Sequence, residues 1–347
     1  MLRKDLLKGL EACMLAIGGD SNYFVFMDRK LYSHNFNLTV CYDLPDEIAD
    51  INITGEVKAS ELYNTLNKFS KDEVSIAQAD NTLTLKCGRA KANITIRECD
   101  YGSAFRFAVK DDAWIDVPAD FVSAFSCRIP KNTSKCSGVY VSGNYLYSTN
   151  SLHLARYQFK DAEFPAFWLS EKNVDILTKL KDIRQLQVTD KAVVVKTDNA
   201  TYAFSLLATS NYPIAPISKL LSEDYSDSDV RGVIPSAVYD AVDRATQFGV
   251  RLEADTVAKL TFSEENITVY SECSNGNYSE SIDWTEKPVM DKPLTVYVGG
   301  AVFSYLSKRA TKFYLSKNNR EIPRLFLEND NTVYLISTFD IKNKIGR

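Results

Sequence analysis

The sequence predicts an α+β protein built from three tandem copies of one unit, each with two helices packed on antiparallel sheets. Three observations carry this reading. Strand hairpins recur near positions 23, 137 and 258; a helical stretch precedes and another follows each hairpin; and a second set of alternating strands closes every copy. The 347 residues divide into copies of roughly 116, each able to bury its own core. The expected domains are 1–112, 113–217 and 218–347, with linkers around Phe107–Trp114 and Pro213–Val230, the latter acidic and serine-rich.

The hairpin units open at Tyr23 (YFVFMDRKLYSHNFNLTVCYDL), Ser137 (SGVYVSGNYLYSTNSLHLARYQF) and Ala258 (AKLTFSEENITVYSECSNGNYSESIDW). In each, alternating apolar and polar residues meet at a turn such as Ser142-Gly143-Asn144 or Glu264-Glu265-Asn266, the pattern of a half-buried hairpin. Leading helices are expected over Leu2–Ala16, Pro118–Lys131 and Pro235–Phe248; the proline that opens the last two suits a first helical turn. Trailing helices are expected over Lys58–Lys71, Ser170–Arg184 and Gly299–Lys312. They share a Leu-x-Lys signature at Leu66/Lys68, Leu177/Lys179 and Leu306/Lys308. Leu62, Leu66 and Phe69 form one apolar stripe, opposite Lys58, Glu61, Thr65 and Lys68.

Forty-one basic against 45 acidic residues give a net charge of -4, which excludes a protein that coats nucleic acid by bulk positive charge. The six expected helices nevertheless sum to +7, so the rest of the chain is correspondingly more acidic. A basic helical face beside acidic sheets attracts phosphate on one surface and repels it on the others. Seven scattered cysteines without a C-x-x-C pair suggest a reducing compartment, and the acidic Asp5 and Glu11 break any signal-peptide core, so a cytoplasmic location is expected.

Catalytic chemistry is not suggested. The two histidines, His34 and His153, lie in strand or loop positions, and no phosphate-binding glycine loop, nucleophile elbow or metal-ligand motif is present. No enzyme activity, cofactor or metal is expected.

The repeat resembles the bacterial DNA polymerase sliding clamp, the beta subunit. The matching residues are Leu6-Leu7-Lys8-x-Leu10, Pro118-Ala119-Asp120-Phe121, the strand and loop Ser148–Ala155, and Asn211-Tyr212-Pro213, and with the copy order they span essentially the whole chain. The resemblance implies three tandem clamp domains per chain and a head-to-tail homodimer closed into a ring. The ring would encircle double-stranded DNA without sequence preference and tether the polymerase and the clamp loader through their linear peptide motifs. The residues expected to face DNA are Lys4, Lys8, Lys58, Lys68, Lys71, Arg128, Lys131, Lys172, Lys179, Arg244, Lys308, Arg309 and Lys312. The peptide pocket between domains two and three falls on Cys136, Thr149, Ser151, Leu152, His153, Leu154, Pro213, Ile217, Ile322, Leu335 and Ser337, with His153 its leading functional candidate. Two departures stand out: Leu152 and His153 replace the family's usual histidine and arginine, and Phe339–Arg347 runs past the final strand, where it could cover the pocket. The rival reading is a non-enzymatic interaction protein of tandem sheet domains that does not encircle DNA.

Overall fold

The computed structural model describes residues 3–19, 21–99, 109–110, 112–129, 136–225, 230–249, 251–252, 255–307, 309–316 and 323–338. Eight α-helices occur among the described residues. They are α1 (Arg3–Met14), α2 (Asp46–Ala49), α3 (Ala59–Lys68), α4 (Phe121–Ala124), α5 (Glu171–Leu177), α6 (Ile214–Asp224), α7 (Ala237–Ala245) and α8 (Gly300–Ser307). Every described strand pairing is antiparallel, so the α+β expectation holds. The chain packs as two compact units: unit 1 is Met1–Val122 with Phe164–Leu207, and unit 2 is Ser123–Glu163 with Ala208–Arg347.

In unit 1 one sheet runs in the order 75–79, 82–87, 90–97, 55–58, 23–27, 30–34, 38–43, 200–205, 192–196, 185–188, 115–116. The first hairpin turns on Asp28 and Arg29, both at positive φ (51° and 63°), which matches the right-handed twist of the strands it joins. Helix α1 buries Leu6, Gly9, Leu10 and Cys13, spaced i, i+3, i+4, i+7, against strands 30–34 and 38–43. Gly9 is required by contact: a Cβ there would sit 2.8 Å from the Tyr42 ring. Helix α3 buries Ala59, Leu62 and Leu66 and lies beside α1. Arg3 locks the pair, donating to the carbonyl oxygens of Leu66 (3.3 Å) and Phe69 at the end of α3.

In unit 2 one sheet passes through 139–143, 145–149, 154–158, 332–336, 324–328, 312–316 and 230–233, and another through 251–252, 255–262, 266–273 and 276–283, with 294–299 also on 255–262. Helices α7 and α8 pack together on the second sheet and bury Val238, Ala241, Val242, Ala245, Phe303 and Leu306 in the core.

Two local expectations are corrected. The segment 213–230 is not a bare linker: α6 occupies most of it and buries Ile217 and Leu221, while Ser218 and Ser222 are exposed. The sequence reading took those polar residues for loop composition and passed over the apolar spacing. The three trailing helices also end early, at Lys68, Leu177 and Ser307 rather than at Lys71, Arg184 and Lys312. Pro118–Lys131 shrinks to α4 and a 3-10 turn over Phe125–Cys127.

Candidate functional site

The expected pocket residues that are described all belong to unit 2, and most converge where strand 154–158 pairs with 332–336. Leu154 stands opposite Leu335 in that pairing. The loop feeding it is held by Asn150, whose Oδ1 accepts from the backbone N–H groups of Leu152 (3.1 Å) and His153 (2.7 Å). Thr149 Oγ1 donates to the His153 carbonyl at 2.7 Å and accepts from the Ser151 N–H at 3.1 Å. So tight a turn places Ser151 at φ 71° and drives Leu152 outward, 41% exposed. Tyr212 stacks on Tyr140 of strand 139–143 with ring centroids 4.5 Å apart, which fixes the start of α6 and with it Pro213 and buried Ile217. Burial pushes the Tyr212 hydroxyl pKa far up, with the neighbouring Cys136 adding to the shift. Ile322 lies outside the described residues.

His153 has a structural part in this arrangement. It is 4% exposed, and its Nδ1 accepts the Ser337 N–H at 3.1 Å, so the ring pins the end of strand 332–336 to the loop. Ser337 completes the tie by donating its hydroxyl to the Leu152 carbonyl. The exposed apolar element is Leu152, not His153.

The same architecture occurs in unit 1. Strand 38–43 pairs with 200–205 as 154–158 pairs with 332–336, and Asn35 Oδ1 accepts from the N–H groups of Asn37 (2.8 Å) and Leu38 (2.9 Å), as Asn150 does one repeat later. The registers equate His34 with Thr149, Phe36 with Ser151, Leu38 with His153, Thr39 with Leu154, Ala203 with Leu335 and Ser205 with Ser337. Sequence reasoning missed this correspondence. Its signal was present, because Ser33-x-Asn35 and Ser148-x-Asn150 end their strands with the same spacing.

The basic residues are less concentrated on the helices than expected. Lys4 and Lys8 on α1, Lys68 at the end of α3 and Lys172 on α5 are exposed, Lys8 lying 3.6 Å from Asp5. Lys58 ends strand 55–58 and pairs with Glu61 at 3.3 Å, and Lys312 begins strand 312–316. Lys71, Arg128, Lys179 and Arg309 follow their helices, and Lys131 and Lys308 lie outside the described residues. Over the observed bounds α3 carries one acid and one base, and α8 has no charged residue. Cations just past a helix C-terminus answer the partial negative charge of its last carbonyls, a local reason for the Leu-x-Lys signature.

Two arginines are already engaged. Arg309 lies over the Tyr305 ring, 4.4 Å from its centroid, and donates to the Ser126 carbonyl. Arg244 forms a two-pronged pair with Glu280 at 2.7 and 3.0 Å, and the Tyr278 hydroxyl, with Arg244 second, holds the Glu280 carboxyl below its usual range.

Among solved structures this architecture is that of DNA sliding clamps. In particular, the chain has the fold of the bacterial DNA polymerase III beta subunit. The Bacillus subtilis DNA polymerase sliding clamp matches with a TM-score of 0.79 at 17% identity, over 98% of both chains. The Pseudomonas aeruginosa DNA polymerase III subunit beta matches at 0.78 and 15%, covering 98% of this chain and 99% of that one. A Helicobacter pylori beta clamp, solved bound to a DNA ligase peptide, matches at 0.77 and 15%, covering 97% and 98%. No family model matches the sequence, and neither does any curated protein. Among the described residues no helix is long and apolar enough to cross a membrane.

Proposed function

We propose that this chain is a sliding clamp of three domains, 1–112, 113–217 and 218–347, without catalytic activity of its own. Two copies join head to tail around duplex DNA in the cytoplasm and tether a polymerase, and linear peptides of polymerase and loader dock at the unit 2 pocket. The observation that carries this reading is what the repeat leaves over. The third strand of copy one pairs with the last strand of copy two (38–43 with 200–205), and the third strand of copy two pairs with the last strand of copy three (154–158 with 332–336). Both junctions share a register: the Asp43 N–H donates to the Asn199 carbonyl at 2.9 Å and the Gln158 N–H to the Asn331 carbonyl at 2.8 Å.

By the same rule the third strand of copy three, Gly276–Asp283, awaits the last strand of copy one, Ala90–Arg97. Among the described residues strand 276–283 is a sheet edge, and on the side away from 82–87 strand 90–97 is paired only at Ile96 and Arg97. Exposed edges of eight residues invite pairing with another chain. A two-fold arrangement that joins 90–97 of each protomer to 276–283 of its partner uses both edges and closes the assembly. The equivalent register sets Ala90 opposite Ile282 and brings Arg89 and Lys91 beside Asp283 and Ser281. Ring closure makes DNA retention topological, so the exposed lysines need only weak phosphate contacts that permit sliding.

The test is solution mass by light scattering on dilution, against the 39.0 kDa chain. A dimer of twice that mass is expected, weakened by Arg89→Glu with Lys91→Glu and restored by adding Asp283→Lys. A strict monomer at all concentrations overturns the ring and leaves the interaction-protein reading.

A further inference from the structure

Unit 1 holds a groove of about 830 Å³ that the proposed clamp activity does not use. It is lined at the loop His34–Thr39, the turn Thr189–Ala192, Lys110 and the sheet residue Ala203. Its volume falls within the range of pockets that bury a ligand. In the repeat it occupies the place that the peptide pocket occupies in unit 2, since the loop and strand residues lining it are the counterparts of Thr149–Leu154 and Leu335. We propose that this groove is a second recognition site, for a short extended peptide of another protein that carries an aromatic or leucine anchor and acidic residues.

Three features select that occupant. Phe36 stands at the groove 81% exposed, where unit 2 has only Ser151, so its ring offers an uncovered apolar wall. Among the described lining residues Lys110 and Lys191, both exposed, outnumber the one acid, Asp190, and a negatively charged ligand complements that balance. Lys191 takes the place of Pro323 in unit 2, so the two sites would read different sequences.

The backbone that carries the two lysines is also fixed before any ligand arrives. Gln187, 3% exposed, accepts the Lys110 N–H at 2.8 Å and donates to the Lys110 carbonyl at 2.7 Å. Thr189 Oγ1 closes the turn beneath Lys191 by accepting the Ala192 N–H and donating to the Ala192 carbonyl, both at 3.1 Å. Backbone fixed in this way lowers the ordering cost of binding.

The inference extends the clamp reading but does not depend on dimer formation, and its test reads the two pockets separately. The probe is a capped pentapeptide alternating aspartate and leucine and ending in phenylalanine, titrated into the full chain with methyl-labelled alanine, valine and leucine and followed by NMR. Saturable shifts are expected at Ala203 and Val188. Phe36→Ala, and Lys110→Glu with Lys191→Glu, should each weaken binding at those methyls at least ten-fold while leaving shifts at Leu154 and Leu335 unchanged. These positions are exposed, so the variants keep their fold. Shifts confined to Leu154 and Leu335 would overturn the second site and leave the clamp pocket standing. Shifts at Ala203 that survive both variants would overturn the assigned chemistry, and the absence of any shift at Ala203 and Val188 would overturn the proposal.

Discussion

The junction of strands 38–43 and 200–205 in unit 1 and that of strands 154–158 and 332–336 in unit 2 share one backbone plan and carry different side chains. Asn35 and Asn150 cap equivalent turns, Tyr202 and Tyr334 occupy equivalent strand positions, and Ser205 and Ser337 reach back to loop carbonyls. The differences lie in what closes each loop. In unit 2 the Ser337 N–H is satisfied by the His153 ring, whereas in unit 1 the Ser205 N–H donates to the Asn37 carbonyl at 2.9 Å. Because every strand must satisfy its main chain while the means are interchangeable, the loop side chains were free to diverge. Unit 1 came to present Phe36, and unit 2 came to present Leu152.

If the junctions are equivalent supports of separate units, breaking either should damage its own unit first. The largest effect is expected from truncating the fully buried residues at their ends, Phe204→Ala in unit 1 and Ile336→Ala in unit 2. Phe204→Ala should cost about 3–5 kcal/mol and Ile336→Ala about 2–5 kcal/mol. Hydrogen exchange should show amide protection lost in strands 38–43 and 192–205 for the first variant, and in 154–158 and 324–336 for the second. Loss spread evenly over both units in either variant would break the comparison.

A smaller effect tests the shared turn. Asn35→Ala and Asn150→Ala each remove an oxygen that accepts two backbone N–H groups. Each should lower stability by about 1–3 kcal/mol, and by similar amounts, in urea titrations. A large cost in one unit and none in the other would show that only one turn is set by its asparagine.

Much of this was legible in the sequence because hairpins announce themselves locally. Alternation identified strands 23–34, 139–149 and 255–273, and Asp28-Arg29 and Ser142-Gly143-Asn144 marked their turns. Helix ends were not legible. Basic side chains favour a helix and also the turn just past its last carbonyls, so Lys71, Arg184 and Lys312 looked like final helical residues. Helix α6 was hidden by its serines and acids, a composition that also marks loops. Within the pocket the loop Thr149–Leu154 was found, but burial of His153 depends on Ser337, 184 residues away, and no local pattern reports such a partner. Equally, the engagement of Arg244 by Glu280 arises only once α7 lies beside strand 276–283.

The smallest effect sharpens the comparison through pH. His34, in the place of Thr149, has its Nδ1 2.6 Å from Thr39 Oγ1, and burial lowers its pKa below the ordinary value of 6.5. The charged imidazole is therefore less favourable in the folded chain than in the unfolded one, which binds the proton first as pH falls. Stability from this site is complete above about pH 6.5 and declines as pH drops from there toward the lowered folded value. Part of the ring meets solvent, so the slope should be shallow. Unit 1 should lose protection between pH 7 and pH 5 in wild type, and His34→Gln should flatten that dependence relative to wild type while unit 2 behaves alike in both proteins. An unchanged slope in the His34→Gln chain would mean that other titrating groups set the acid sensitivity of unit 1, and the histidine would then distinguish the two junctions only in shape.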